Sequence, residues 1–116
     1  MFSVFSLISP HAWSWLALFC AGLLEVGWAL ALKASDGFSK PGPTAAFVLL
    51  IFGSMGLLAY AIRTLPLGTA YAIWTGIGVL GSVICGVIFW GEGMSVLRMI
   101  SAALLLLGMV GLKLSS

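Results

Sequence analysis

A single carboxylate stands in the first long apolar run of this 116-residue chain. Glu25 lies between Ala12 and Leu32, and no other residue in that run is charged. A charged side chain at the centre of a membrane helix costs about 2.5–3.5 kcal/mol on insertion scales, and such residues usually line ion or proton pathways. Because Glu25 is about 20 Å along a helix from Ala12, its side chain cannot reach the headgroups and must face protein or water. Glu25 is therefore the first candidate for binding a proton or a cation.

Aromatic and small residues recur at helical spacing around this carboxylate. Gly22, Glu25 and Trp28 share one face of the first helix. In the third apolar run, one face carries rings near its start and small residues beyond them: Tyr71, Trp74, Thr75, Gly78, Gly81, Ser82 and Cys85. Aromatic faces attract cations, and glycines permit close packing or a bend. The combination favours a cation site between the two helices, although the same rings and glycines also fit ordinary membrane-helix packing.

The composition indicates an integral membrane protein. Hydrophobic residues make up 62% of the chain, charged residues 7%, and the mean hydropathy is +1.23, whereas a soluble domain carries roughly 25% charged residues. The net charge of +2 comes from basic residues scattered singly along the chain, which argues against nucleic acid as a partner. Cys20 and Cys85 lack metal-ligand or redox spacing, and no nucleophile is paired with a base. We expect no metal, no cofactor and no enzyme activity.

Four stretches are long enough to span a bilayer, at about 19–22 residues each where about 20 are needed. They predict an all-α integral membrane fold in one domain covering residues 1–116. Polar turns separate the spans: residues 33–43, residues 63–68, where Pro66 is expected to end the second helix, and residues 91–93. Ser9 and Pro10 fit a helix N-cap and a first-turn proline, and the lack of a basic N-terminal segment argues against a cleaved signal peptide. The predicted helices cover about 12–32, 44–62, 69–90 and 96–114.

The basic residues give little preference for one orientation in the membrane. Lys33, Lys40 and Arg98 fall on one side, against Arg63 and Lys113 on the other. Because the positive-inside rule hardly discriminates, the chain could insert both ways, and two copies could pair as an antiparallel, dual-topology homodimer. Four short helices are also too few to enclose a solvated cavity, which independently favours self-association.

Three segments resemble the small multidrug resistance family of transporters. They are GLLEVGW at residues 22–28, LPLGTAYAIWTGIG at residues 65–78, and GMVGLK at residues 108–113. The resemblance runs from about Leu16 to the C-terminus with the motifs in order, and Met1 to His11 precede the compact start usual in the family. A tryptophan three residues after the glutamate, Trp28 in this chain, resembles the pattern of the guanidinium exporter subtype. The sequence Trp74-Thr75-Gly76 resembles that subtype as well.

The resemblance implies roles for individual residues. Glu25 would be the shared proton and substrate residue, and its hydrogen-bonding and aromatic surround would be Trp28, Ser54, Tyr71 and Trp74. Ser54 is assigned by its distance from the Tyr71 motif, because its own segment has little motif character. Helix packing or hinge roles fall to glycines in three helices: Gly22, Gly76, Gly78, Gly81, Gly108 and Gly111.

With the buried carboxylate, the resemblance implies a proton-coupled antiporter that exports guanidinium and small guanidinyl cations across the bacterial inner membrane. A planar guanidinium and a proton would compete for the oxygens of Glu25, so binding one means releasing the other. Three alternatives stay open. The same fold could export quaternary ammonium or other hydrophobic cations, the chain could form a small passive channel, or it could be an assembly subunit that transports nothing.

Overall fold

Four long apolar helices form the described part of the protein. The computed structural model describes residues 10–115, with side chains from residue 12 onward. The helices are α1 (Pro10–Ala34), α2 (Pro41–Ala61), α3 (Leu67–Trp90) and α4 (Val96–Leu114). Each is long and apolar enough to cross a membrane. The predicted all-α architecture with four membrane-spanning helices is confirmed; the predicted N-cap residue Ser9 lies outside the described residues.

The helix ends differ from the predicted bounds where prolines stand. α2 begins at Pro41, three residues before the predicted start, because a proline in the first helical turn lacks only an N–H that would have no helical partner. Pro66 does not end α2, which stops at Ala61; it occupies the N-cap position of α3 instead, with extended backbone angles (φ −58°, ψ 136°). α1 also continues two residues past its predicted end, through Ala34.

The α1–α2 connection is a tight turn organised by Ser35. The Ser35 hydroxyl donates to the Leu32 carbonyl (2.7 Å) and accepts from the Phe38 N–H (3.1 Å). Three successive residues, Asp36, Gly37 and Phe38, have positive φ angles of 50°, 69° and 69°. The turn brings α2 back alongside α1, so the C-terminal end of α1 and the N-terminal end of α2 lie on the same side of the bundle.

The buried core occupies one end of the bundle. It joins the first half of α1, the second half of α2, the α2–α3 turn and the first half of α3. Its members are Ala17, Leu18, Ala21, Leu58, Ala61, Leu65, Ala70, Ile73 and Trp74. A hydrogen bond between the hydroxyls of Ser14 and Thr64 ties α1 to the α2–α3 turn at this end. Small residues dominate α1 here, which lets the neighbouring backbones approach closely.

The opposite end is more open. Beyond the core, the second halves of α1 and α3 border a groove, and α4 packs its backbone against α3 alone among the described helices. No residue of α4 is fully buried within the chain, and apolar side chains such as Leu97, Leu104 and Leu107 are well exposed. The fold therefore fixes α1, α2 and α3 firmly at one end and leaves a cavity at the other.

Candidate cation-binding site

Glu25 lies in the groove between α1 and α3. Its carboxyl packs against Gly78 so closely that a Cβ added to that glycine would approach Glu25 Cγ to 2.8 Å. The groove has a volume of about 330 Å³ and runs from Glu25 toward the C-terminal ends of both helices. Its polar lining is supplied by Glu25, Lys33, Ser82, Glu92 and Arg98. The carboxyl thus lies inside the bundle and faces a space that a small ion can occupy.

Two polar atoms on one face of α1 are buried without a hydrogen-bond partner. They are Oε2 of Glu25 and Nε1 of Trp28. The Trp28 ring is held from α2 by an edge contact with Phe47, with ring centroids 5.8 Å apart. An unsatisfied buried polar group costs about 1–3 kcal/mol, so one in a native protein calls for an explanation such as a functional role or a bound water or ion. The carboxyl oxygen can accept from a ligand, and the indole N–H can donate.

Ser54 connects the three packed helices at the inner end of the site. It is fully buried (0% exposed), and its hydroxyl donates to the Ala21 carbonyl of α1 (2.7 Å). The same oxygen accepts from Trp74 Nε1 of α3 at 3.0 Å. Ala21 precedes Glu25 by one helical turn, and Trp74 precedes Gly78 by one turn. The link therefore fixes α1 and α3 one turn below the carboxyl.

The predicted surround of Glu25 divides into two groups. Ser54 and Trp74 are joined by their hydrogen bond, and Tyr71 packs its ring edge against Trp74 with centroids 5.4 Å apart. Tyr71 is 54% exposed in the single chain, whereas Trp74 is 5% exposed. The Trp74 N–H is engaged by Ser54, so the buried N–H left for a carboxylate is that of Trp28.

The predicted packing glycines also fall into two sets. Four of them contact a neighbouring helix so tightly that an added Cβ would collide with a side chain there. The pairs are Gly22 with Ile77, Gly76 with Met109, Gly78 with Glu25, and Gly81 with Val26. On α4, a Cβ added to Gly108 or Gly111 would meet no atom within 4 Å, so these two glycines face open space in the chain. The first set holds α1, α3 and α4 together, and the second remains available for contacts outside the chain.

Several site residues could not be recognised in the sequence. Phe47 and the Ala21 carbonyl carry no motif, and only the packing of α2 against α1 brings them to Trp28 and Ser54. In the sequence, Glu92 falls in the polar turn at residues 91–93 and Arg98 near the start of the fourth span, yet both line the groove that contains Glu25. The signal for these two residues in the sequence is that they carry opposite charges close to the start of α4. Within residues 12–115, no three potential metal ligands cluster.

Comparisons with known proteins identify the family. Residues 13–105 match the family described as Small Multidrug Resistance protein. The guanidinium exporter of Escherichia coli (strain K12) is 50% identical over 103 residues, which cover 89% of this chain and 98% of that protein. The guanidinium exporters of Proteus vulgaris (48% identical) and Yersinia pseudotuberculosis (50% identical) match over the same 89% of this chain and 99% of their own length. The chain, a multi-pass inner-membrane protein, therefore belongs to the small multidrug resistance family of transporters.

Proposed function

We propose that this protein exports guanidinium and small guanidinyl cations in exchange for protons, with Glu25 binding either species but not both. The observation that carries the proposal is the buried, unpartnered Oε2 of Glu25 inside the α1–α3 groove. The names of relatives about half identical over nearly their whole length support guanidinium as the cation.

The chemistry of the carboxylate explains the exchange. Guanidinium is planar and presents parallel N–H donors that fit the two oxygens of a carboxylate. A proton on Glu25 removes both the negative charge and one acceptor, so the cation must leave when the proton binds. The N–H of Trp28 lies one turn along the same helix face and would orient the carboxylate by donating to it.

Coupling requires that the groove change its facing direction only when Glu25 is occupied. An empty groove would leave a buried, unpaired carboxylate at mid-membrane depth during reorientation, and that charge is costly there. Occupancy by a proton or by guanidinium removes the cost. Exchange of one for the other then converts a proton gradient into export of the cation.

The transporting unit in this proposal is an antiparallel homodimer of dual topology. The unburied surface of α4, with Gly108 and Gly111 open to close approach, supports self-association through this helix. The near balance of basic residues on the two sides supports insertion in both orientations. Inward-open and outward-open states are then the same structure with the subunits exchanged.

The test is proton movement in liposomes containing the purified protein. We expect guanidinium to drive proton flux, Glu25→Gln to abolish it, and tetraphenylphosphonium to be a poor substrate. Asp36→Asn is the matched control, because it neutralises an exposed turn carboxylate and Asn tolerates the positive φ found there. Flux driven only by the bulky cation would assign a multidrug antiporter instead. Uncoupled guanidinium leak would indicate a channel, and no flux with either cation would reject transport of these ions.

A further inference from the structure

The groove that contains Glu25 has a second carboxylate at its open end. Glu92 follows α3, which Gly91 ends in a left-handed conformation (φ 64°). The Glu92 N–H donates back to the Gly86 carbonyl (3.2 Å), and the carboxyl folds against Gly86, whose added Cβ would approach the Glu92 carboxyl carbon to 2.7 Å. The side chain is thus directed along α3 and lines the groove, with part of its surface exposed.

The partner of Glu92 is itself a guanidinium group. Arg98 Nη2 lies 3.6 Å from Glu92 Oε1, while Nη1 donates to the Gly93 carbonyl (2.8 Å). The two side chains are 38% and 39% exposed, so the pair is open to exchange with dissolved ions. Exposed ion pairs of this kind are weak, because water competes for both partners. A free guanidinium ion offers Glu92 the same N–H donors that Arg98 offers.

The charges at this end favour a role for Glu92 in admitting a cation. Lys33 and Arg98 line the same groove, and Lys33 lies over the Trp90 ring, 5.6 Å from its centroid. The side chains of Lys33, Arg98 and Glu92 carry a net charge of +1 together. Without Glu92, the two basic side chains carry +2. Low-dielectric walls strengthen such repulsion, so a mouth lacking Glu92 would repel the substrate more strongly.

We infer that Glu92 forms an entry site for guanidinium, where the substrate displaces Arg98 before it passes along the groove to Glu25. The inference rests on the proposed function for its substrate. From Glu92 the path follows α1 past Lys33, which is about 12 Å along the helix from Glu25. Arg98 acts as an internal competitor that occupies Glu92 when no substrate is present and retains its bond to Gly93 when displaced.

Opposite effects of the two partners distinguish this role from a structural ion pair. Glu92→Gln and Arg98→Gln break the same pair, so a purely structural role predicts the same direction of change in both. An entry site predicts that Glu92→Gln raises the KM for guanidinium about fivefold and that Arg98→Gln lowers it by a similar factor, because the competitor is gone. Changes in the same direction, or no change in either variant, would overturn the inference while leaving the proposed function intact.

A binding measurement makes the test independent of transport. In the Glu25→Gln background, line broadening of ¹³C-guanidinium by the detergent-purified protein should persist at millimolar concentrations, be lost in Glu25→Gln/Glu92→Gln, and persist in Glu25→Gln/Asp36→Asn. Equal broadening in all three proteins would show that Glu92 binds no guanidinium. Glu92-dependent binding in a protein whose parent shows no guanidinium-coupled flux would reject the proposed function and retain the site.

Discussion

The carboxyl of Glu25 on α1 occupies the space that a side chain at Gly78 on α3 would need. A Cβ at Gly78 would lie 2.8 Å from Glu25 Cγ and closer still to the carboxyl group. Both positions are fixed one turn away by the Ala21, Ser54 and Trp74 link, so neither helix can retreat without breaking buried hydrogen bonds. The glycine therefore determines where the carboxylate points.

Gly78→Ala should displace the carboxyl from the groove and lower guanidinium-driven proton flux by about tenfold or more, since a displacement of about 1 Å can cost a hundredfold in a positioned site. Gly56→Ala is the control, because a Cβ on that α2 glycine meets nothing within 4 Å. The measurement is the initial flux rate per unit of reconstituted protein. An unchanged rate in Gly78→Ala would show that the carboxyl position is not set by this contact.

Trp28→Phe should separate function from stability. Nε1 of Trp28 has no partner in the folded chain, so removing it breaks no hydrogen bond, and the unfolding temperature should fall less than in Phe47→Ala. If the N–H orients Glu25 during exchange, flux should nevertheless fall by about tenfold, the equivalent of one charge-assisted hydrogen bond.

Phe47→Ala provides the contrast to Trp28→Phe. It removes the ring that packs against Trp28 and should lower the unfolding temperature, as other aromatic truncations do. Thermal unfolding in detergent and liposome flux are measured on both variants. A Trp28→Phe protein with wild-type flux would exclude an orienting role for the indole N–H.

Ser54→Ala should destabilise the fold by about 1–3 kcal/mol, because the buried Trp74 N–H would lose its acceptor. Ser115→Ala is the control, as its hydroxyl makes only a local bond to Leu112 at the exposed end of α4. The measurement is the free energy of unfolding in detergent.

A second substitution tests whether the Ser54 effect arises from that hydrogen bond. Adding Trp74→Phe to Ser54→Ala removes the orphaned donor, so the double variant should lose less than the sum of the single losses. Strict additivity would mean that Ser54 and Trp74 act independently.

The number and order of the helices could be predicted because hydropathy and span length record membrane crossing directly. The helix ends near Pro41 and Pro66 could not, since proline is compatible with a first turn and breaks only a helix interior. Glu25 was recognisable because an isolated carboxylate in an apolar run is costly wherever the helix packs. The residues around Glu25 could not be predicted in the same way, because their contacts depend on packing. The hydrogen bond from Trp74 to Ser54 and the position of Glu92 in the groove both arise from contacts between distant segments.

Bulky substitutions on α4 should dissociate the proposed dimer without unfolding the chain. A Cβ at Gly108 or Gly111 meets nothing within 4 Å, and α4 carries no fully buried residue, so Gly108→Leu creates no clash inside one chain. In a close helix–helix contact between two copies, the same side chain would separate the backbones that glycine brings together. We expect Gly108→Leu to halve the mass of the protein in detergent, measured by light scattering, and to abolish flux. Gly56→Leu, on an equally open surface of α2, should remain dimeric. A dimeric Gly108→Leu protein would place the interface elsewhere.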